Sequence, residues 1–196
     1  MGCNSSHELP PLEFYDNYKR HNLPEADIKI LQNEFEKEAF MTINMIRADP
    51  KSMVKYVKQY KKHKSYKGQP LEPLITHLNN MIALSPVTLD ENACKACRIN
   101  SEKKNAEIEK GKDCYEKGGN KDEFRTMAGN AKDIETEECT QISWQGTPID
   151  LIIQSLVNGY TAKNTHPILD SKLIKVGLSF KHHKKLQNIC QLLYVK

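Results

Sequence analysis

From residue 28 onward the apolar positions recur at helical spacing. Ile28, Leu31, Phe35, Ala39, Ile43 and Ile46 fall every three to four residues and stop at Asp49-Pro50, which predicts an amphipathic helix. Asp49 as N-cap and Pro50 at the first helical position open a second helix, with Met53, Val57 and Tyr60 on its apolar side. A short helix is expected from Pro73 through Leu74, Leu78, Met81 and Ile82. Thr88-Leu89-Asp90-Glu91 reads as a capping box, opening a helix that frays into the charged run Glu102 to Lys112. Residues 111–135 are polar and contain glycine, which predicts irregular structure, extending toward residue 146. Thr147-Pro148-Ile149-Asp150 is a strong helix start, with Thr147 as cap, proline next and a carboxylate at the third position. That helix carries Leu151, Ile152, Ser155 and Leu156 and is expected to stop near Gly159. Ile174, Val176, Leu178 and Phe180 then alternate with Lys175, Gly177 and Ser179, the period of a half-buried strand. Leu186 to Val195 is its expected partner across a turn at His182-His183-Lys184-Lys185. Helices around a small antiparallel sheet ending in a C-terminal hairpin make the class α+β. Residues 1–26, with Leu9-Pro10-Pro11-Leu12, read as a flexible tether, and residues 27–196 as one folded domain.

Charge changes this picture at one place. The chain has 196 residues, of which 28% are charged, and a net charge of +4. Between residues 51 and 67 lie Lys51, Lys55, Lys58, Lys61, Lys62, Lys64 and Lys67 with no acidic residue among them. Such a run is either a solvated helix end or a patch that meets anionic lipid, worth about 1 kcal/mol per basic residue near the surface. Tyr56, Tyr60 and Tyr66 are interleaved with it and could stack bases. No nucleic-acid module accompanies them, and nucleic acid is not an expected partner.

The N-terminal residues Met1-Gly2-Cys3-Asn4-Ser5-Ser6 bring the lipid reading of the lysines level with the solvated one. They read as an N-myristoylation signal, with Gly2 as acceptor, Ser6 at the favoured position and Cys3 as a natural target for palmitate. One myristoyl chain binds a bilayer only marginally, with an association constant of about 10⁴ M⁻¹, so a second chain or a basic patch is needed for residence. No charged n-region precedes an apolar h-region, and no stretch approaches the roughly 18 to 20 apolar residues of a spanning helix. The expected address is cytoplasmic and membrane-associated through N-terminal acylation. There the six cysteines are expected to be reduced. Cys94 and Cys97 form a C-x-x-C inside a predicted helix. No second pair follows at zinc-site spacing, so small buried side chains on a helix face are expected.

The order of these segments resembles the CAP superfamily, the cysteine-rich secretory protein, antigen 5 and pathogenesis-related 1 group, in its bacterial and protist branch. Ile43-Asn44-Met45-Ile46-Arg47-Ala48-Asp49-Pro50 is similar to the family's "IN-x-IR-A-x-P" opening helix. Pro86-Val87-Thr88-Leu89-Asp90 leads into an alanine- and cysteine-rich helix. Asp150-Leu151-Ile152-Ile153-Gln154, Thr165-His166-Pro167-Ile168-Leu169-Asp170 and Lys175-Val176-Gly177-Leu178 follow the family's helix, "GHR-x-x-I-L" and "-VG-" segments. The resemblance spans residues 28–196 and implies an α-β-α sandwich. In complete members two histidines and two acidic residues line a cleft that can hold zinc.

This chain keeps part of that set. His166 matches the "GHR" histidine, with Thr165 and Pro167 as altered neighbours. The first histidine should fall near Cys114-Tyr115 and is missing. The "GEN-I" motif falls at Cys139-Thr140-Gln141-Ile142, so its glutamate reads as Thr140, and Glu138 serves only with a local shift. Zinc sites need three or four protein ligands, so no metal is expected, and the chain lacks a G-x-S-x-G elbow, an H-E-x-x-H and a P-loop. The resemblance therefore points to a non-enzymatic, acyl-anchored binding module for a lipid, sterol or protein partner, with possible self-association. His166 and Glu138 would be its cleft residues. The competing reading is a residual metal-dependent hydrolase using His166.

Overall fold

The computed structural model describes residues 12–64, 66–110, 136–142, 146–183 and 187–195. Helix α1 (Leu12–Arg20) is followed by α2 (Glu34–Ala48), α3 (Pro50–Gln59) with a 3₁₀ turn at Tyr60–Lys62, and α4 (Glu72–Asn80). Strand β1 (Thr88–Leu89) leads into α5 (Glu91–Glu109). Strand β2 (Thr136–Ile142), α6 (Pro148–Lys163), a 3₁₀ turn at Pro167–Leu169, and the hairpin β3 (Lys175–His183) and β4 (Gln187–Val195) complete the order. The class is α+β, and the strands run β1-β3-β4-β2.

The sheet is mixed and not wholly antiparallel as expected. β1 pairs parallel with β3, whereas β4 pairs antiparallel with both β3 and β2. Gly177 on β3 faces α5, where an added Cβ would collide with the Ala93 backbone. The neighbouring positions point the other way, as strand pleating requires. Leu178, Phe180, Cys190 and Leu192 line a small void with Phe35 and Ala39 of α2 and Leu151 of α6, and the Phe35 and Phe180 rings stack at 3.8 Å. The sheet thus carries α5 on one face and α2 with α6 on the other.

Helix starts follow the sequence signals where side-chain caps are local. Asp49 accepts from the Ser52 amide at 3.3 Å ahead of Pro50, and Thr147 and Asp150 form a complete capping box. The Thr88 box is a correction. The Thr88 and Asp90 amides donate to Ile174 and Val176 on the sheet side, which holds Thr88 extended. Asp90 caps α5 instead, accepting from the Ala93 amide at 2.8 Å. Three boundaries also move. Ile28 is 74% exposed and α2 begins only at Glu34, behind the Asn33 cap. The last α helix runs past Gly159 to a left-handed Asn164, and residues 136–142, expected to be irregular, form β2 by pairing with β4.

The expected tether is shorter than residues 1–26, because residues 12–20 are helical. Phe14 and Tyr18 of α1 are buried in the main core with Met53, Val57 and Tyr60 of the α3 segment. The Phe14 ring meets the Tyr56 ring edge-on at 6.5 Å. Glu13 pairs with Lys55 at 3.0 Å and His21 with Asp49 at 3.3 Å. Early residues of α1 therefore lie beside late residues of α3, and the two helices run antiparallel.

Two side chains of α2 fasten the connections to it. Asn44 accepts from the Val87 amide at 2.8 Å and donates to the Val87 carbonyl at 3.2 Å. Arg47, 1% exposed, donates to the carbonyls of Ser85, Ile168, Asp170 and Leu173 at 2.7–3.1 Å. Arg47→Ala leaves these buried acceptors without their donor and should cost roughly 3–5 kcal/mol. Arg47→Lys should recover less than half, because an ammonium cannot reproduce the planar fork. Urea unfolding of the three proteins checks both; equal midpoints would show that the guanidinium is dispensable.

Candidate functional site

His166 lies between the C-terminal part of α6 and β4, where its ring meets the Tyr194 ring edge-on at 5.5 Å. It is 4% exposed. Its Nδ1 accepts the Ile168 amide at 3.2 Å, capping the 3₁₀ turn at Pro167–Leu169. With Nδ1 an acceptor, the neutral ring carries its proton on Nε2, which sits 3.3 Å from the Ser155 hydroxyl. A catalytic base would need that nitrogen unprotonated to take the serine proton, so this tautomer does not make a nucleophile–base pair. Gly159 admits the ring: a Cβ there would stand 2.5 Å from His166 Cδ2. Burial, aided by the charge of Lys163, pulls the imidazole down to about 3.

Glu138 stands on β2 opposite Leu193, while Tyr194, which touches His166, is opposite Glu137. The Glu138 and Cys139 side chains and the whole of Cys114 lie outside the described residues. Among the described residues no group of three or more His, Cys, Asp and Glu could hold a metal ion. Cys94 and Cys97 are buried on α5 and in no disulfide, and burial pushes Cys94 up to about 11, far from the thiolate that metal binding or redox exchange requires.

The lysine run divides by structure. Lys51, Lys58, Lys61, Lys62, Lys64 and Lys67 are exposed along α3, its 3₁₀ turn and the following segment. Lys55 is half-buried, paired with Glu13 and 5.1 Å from the Tyr56 ring centre. Tyr60 is 1% exposed and packs in the core, so its ring is not presented to a partner. Gly2 and Cys3 lie outside the described residues. Among the described residues no helix is long and apolar enough to cross a membrane.

A groove of about 470 Å³ lies between α1, the turn after it, and α2. Tyr15 and Tyr18 of α1, Met41 of α2, and Leu23, Ala26 and Ile28 of the connection supply its apolar wall. The Tyr15 hydroxyl donates to Glu38 at 2.6 Å and the Tyr18 hydroxyl to the Pro24 carbonyl at 2.5 Å. Burial, with the Glu38 carboxylate, holds the Tyr15 hydroxyl well above its ordinary range, and burial, opposed by Asn44, raises Tyr18 to about 12. Reading residues 12–20 as tether hid this groove. Its signal was the spacing of Phe14, Tyr15 and Tyr18, which places aromatic rings on adjoining faces of one short helix.

No protein-family model, curated protein or solved structure matches this chain. The likeness to CAP proteins rests on the sequence segments quoted above.

The His166 geometry sets a pH dependence. Its folded-state value lies below that of an unfolded histidine, near 6.5, so between about 3 and 6.5 the unfolded chain binds the extra proton. Stability from the neutral ring is complete above pH 6.5 and is lost as pH falls, by up to about 1.4 kcal/mol per pH unit. His166→Gln should flatten this part of the profile in urea titrations at pH 7, 5.5 and 4. An unchanged slope would place His166 in a site that water reaches.

Proposed function

We propose that this chain is an acyl-anchored binding module of CAP type on the cytoplasmic face of a membrane. Myristate on Gly2, with Cys3 as the site of a second chain, inserts into the bilayer. Lys51, Lys58, Lys61, Lys62, Lys64 and Lys67 contact acidic headgroups beside it. The observation that carries this reading is the antiparallel seating of α1 on α3. The Glu13–Lys55 pair and the Phe14–Tyr56 ring contact put the start of α1 alongside the lysine-bearing helix, with Lys58 less than one further turn away. A lipid carried on the segment before Leu12 and the exposed lysines then share one end of the domain. Their contributions add at one membrane surface, which a single acyl chain needs in order to stay bound.

The layers of α5, the sheet, and α2 with α6 support the sandwich part of the proposal. Binding, in preference to hydrolysis, is supported by His166: both ring nitrogens serve internal partners, and burial disfavours its protonation. The module's ligand is lipidic on this reading, since the groove between α1 and α2 has one wall of aromatic and aliphatic side chains.

Vesicle flotation of protein made with and without N-myristoyltransferase tests the proposal. Acylated protein should float with vesicles containing anionic lipid, more weakly with neutral ones, and less as salt rises. Gly2→Ala should abolish the acyl-dependent fraction. Replacing Lys51, Lys58, Lys61 and Lys62 by Gln should lower binding to anionic vesicles by about tenfold or more. Flotation that ignores both acylation and lipid charge would refute it.

A further inference from the structure

The groove between α1 and α2 is specific in its construction. Tyr18 and Met41 at its base are 5% and 6% exposed. Ile28 on its wall is 74% exposed and, with Leu23, Ala26 and the rings of Tyr15 and Tyr18, gives the concavity apolar surface of the kind ligand sites use. The tyrosine hydroxyls that would otherwise ask for a polar ligand are already bonded to Glu38 and Pro24. Lys19, Asn22, Glu25 and Lys37 border the groove, and between them runs a wall of ring and methyl surface, which suits an alkyl chain.

We propose that this groove shelters the acyl chain of Gly2 when the protein is off the membrane. The inference rests on acylation of Gly2, the anchor proposed above. The length of the preceding segment permits it: Leu12 lies ten positions after Gly2, a stretch that spans at most about 33–36 Å. The groove is lined from Tyr15 on α1 to Asn22 just past its end, seven positions or about 10 Å at helical rise, so every part of it is within reach. Attachment to the same chain makes docking intramolecular, with an effective concentration that reaches about the millimolar range for a connection this short. A protein partner or a free lipid would have to compete with that advantage.

Sheltering matters because the anchor is weak. Membrane partition of a single myristoyl chain is marginal, and apparent affinity falls in proportion to the fraction of chains exposed. A groove that holds the chain nine-tenths of the time weakens membrane binding about tenfold. The domain is then predominantly soluble until anionic lipid engages the lysines and shifts the balance. The groove and the lysine face both abut α1, so one short helix borders the sheltered and the inserted positions of the lipid.

The test compares full-length acylated protein with acylated Ile28→Asn and Met41→Trp variants on vesicles of phosphatidylcholine containing phosphatidylserine. Both substitutions should raise the partition coefficient about tenfold; without acylation they should produce no such rise. Protein carrying ¹³C-labelled myristate should show isotope-filtered NOEs from the acyl chain to the Met41 methyl and the Tyr18 ring in the absence of vesicles. Ile28→Asn changes an exposed position and keeps the comparison valid if Met41→Trp fails to fold. Acylated wild type that partitions like the variants and shows no such NOEs overturns the shelter, while acyl-dependent flotation leaves the anchor standing. A chain that the transferase does not acylate overturns both.

Discussion

A guanidinium buried among backbone carbonyls organises this domain. Arg47 sits one residue from the end of α2, is 1% exposed, and bonds to Ser85, Ile168, Asp170 and Leu173. Burial pulls its proton affinity down, and the Asp170 carboxylate opposes that. The charge is retained because several carbonyl dipoles replace its water at once, as a buried ion requires. The consequence is topological. Segments about 40 and 120 residues away in the chain are held to one helix end, Asn44 adds the Val87 backbone one turn earlier, and β1 is thereby delivered to the edge of β3.

With that frame in place, polar side chains on α2 also seat the neighbouring elements. Glu36 is fully buried, and its carboxylate accepts from the Gln32 amide at 2.7 Å and the Phe180 amide at 2.9 Å. Glu38 accepts from Tyr15 on α1. One helix thus binds the sheet on one side, α1 on another and the loops at its end, so the position of α1 follows from the core. Buried aromatic rings fix α1 against α2 and α3, so the acyl anchor proposed for Gly2 would start from a defined place.

Much of this was legible in the sequence wherever a local rule sufficed. The Asp49-Pro50 and Thr147-Pro148 starts, the buried side of α3 and the alternation of β3 are set by neighbours within four residues. The misreadings have a common cause. Thr88 has the composition of a cap, but a ladder to β3, more than eighty residues away, takes its backbone. Residues 136–142 carry no strong strand period and become a strand because β4 offers them a partner. Gly159 looked like a stop, yet its missing side chain makes room for His166. The aromatic spacing in residues 12–20 was readable as a helix, and the Leu9-Pro10-Pro11 stretch before it drew the tether boundary too far. His166 is legible as a histidine of note in the sequence, whereas its burial and its partners on a turn, a helix and a strand depend on residues brought together by the fold.

The account's central claim is that α1 and the lysine-bearing α3 form the membrane-facing end of the domain. Hydrogen–deuterium exchange of the acylated protein, free and bound to anionic vesicles, tests it without altering any residue. Added protection on binding should concentrate in peptides covering residues 12–20 and 50–67, with α5 on the far side of the sheet unchanged. Protection centred on α5, with α1 and α3 exchanging as in solution, would contradict it.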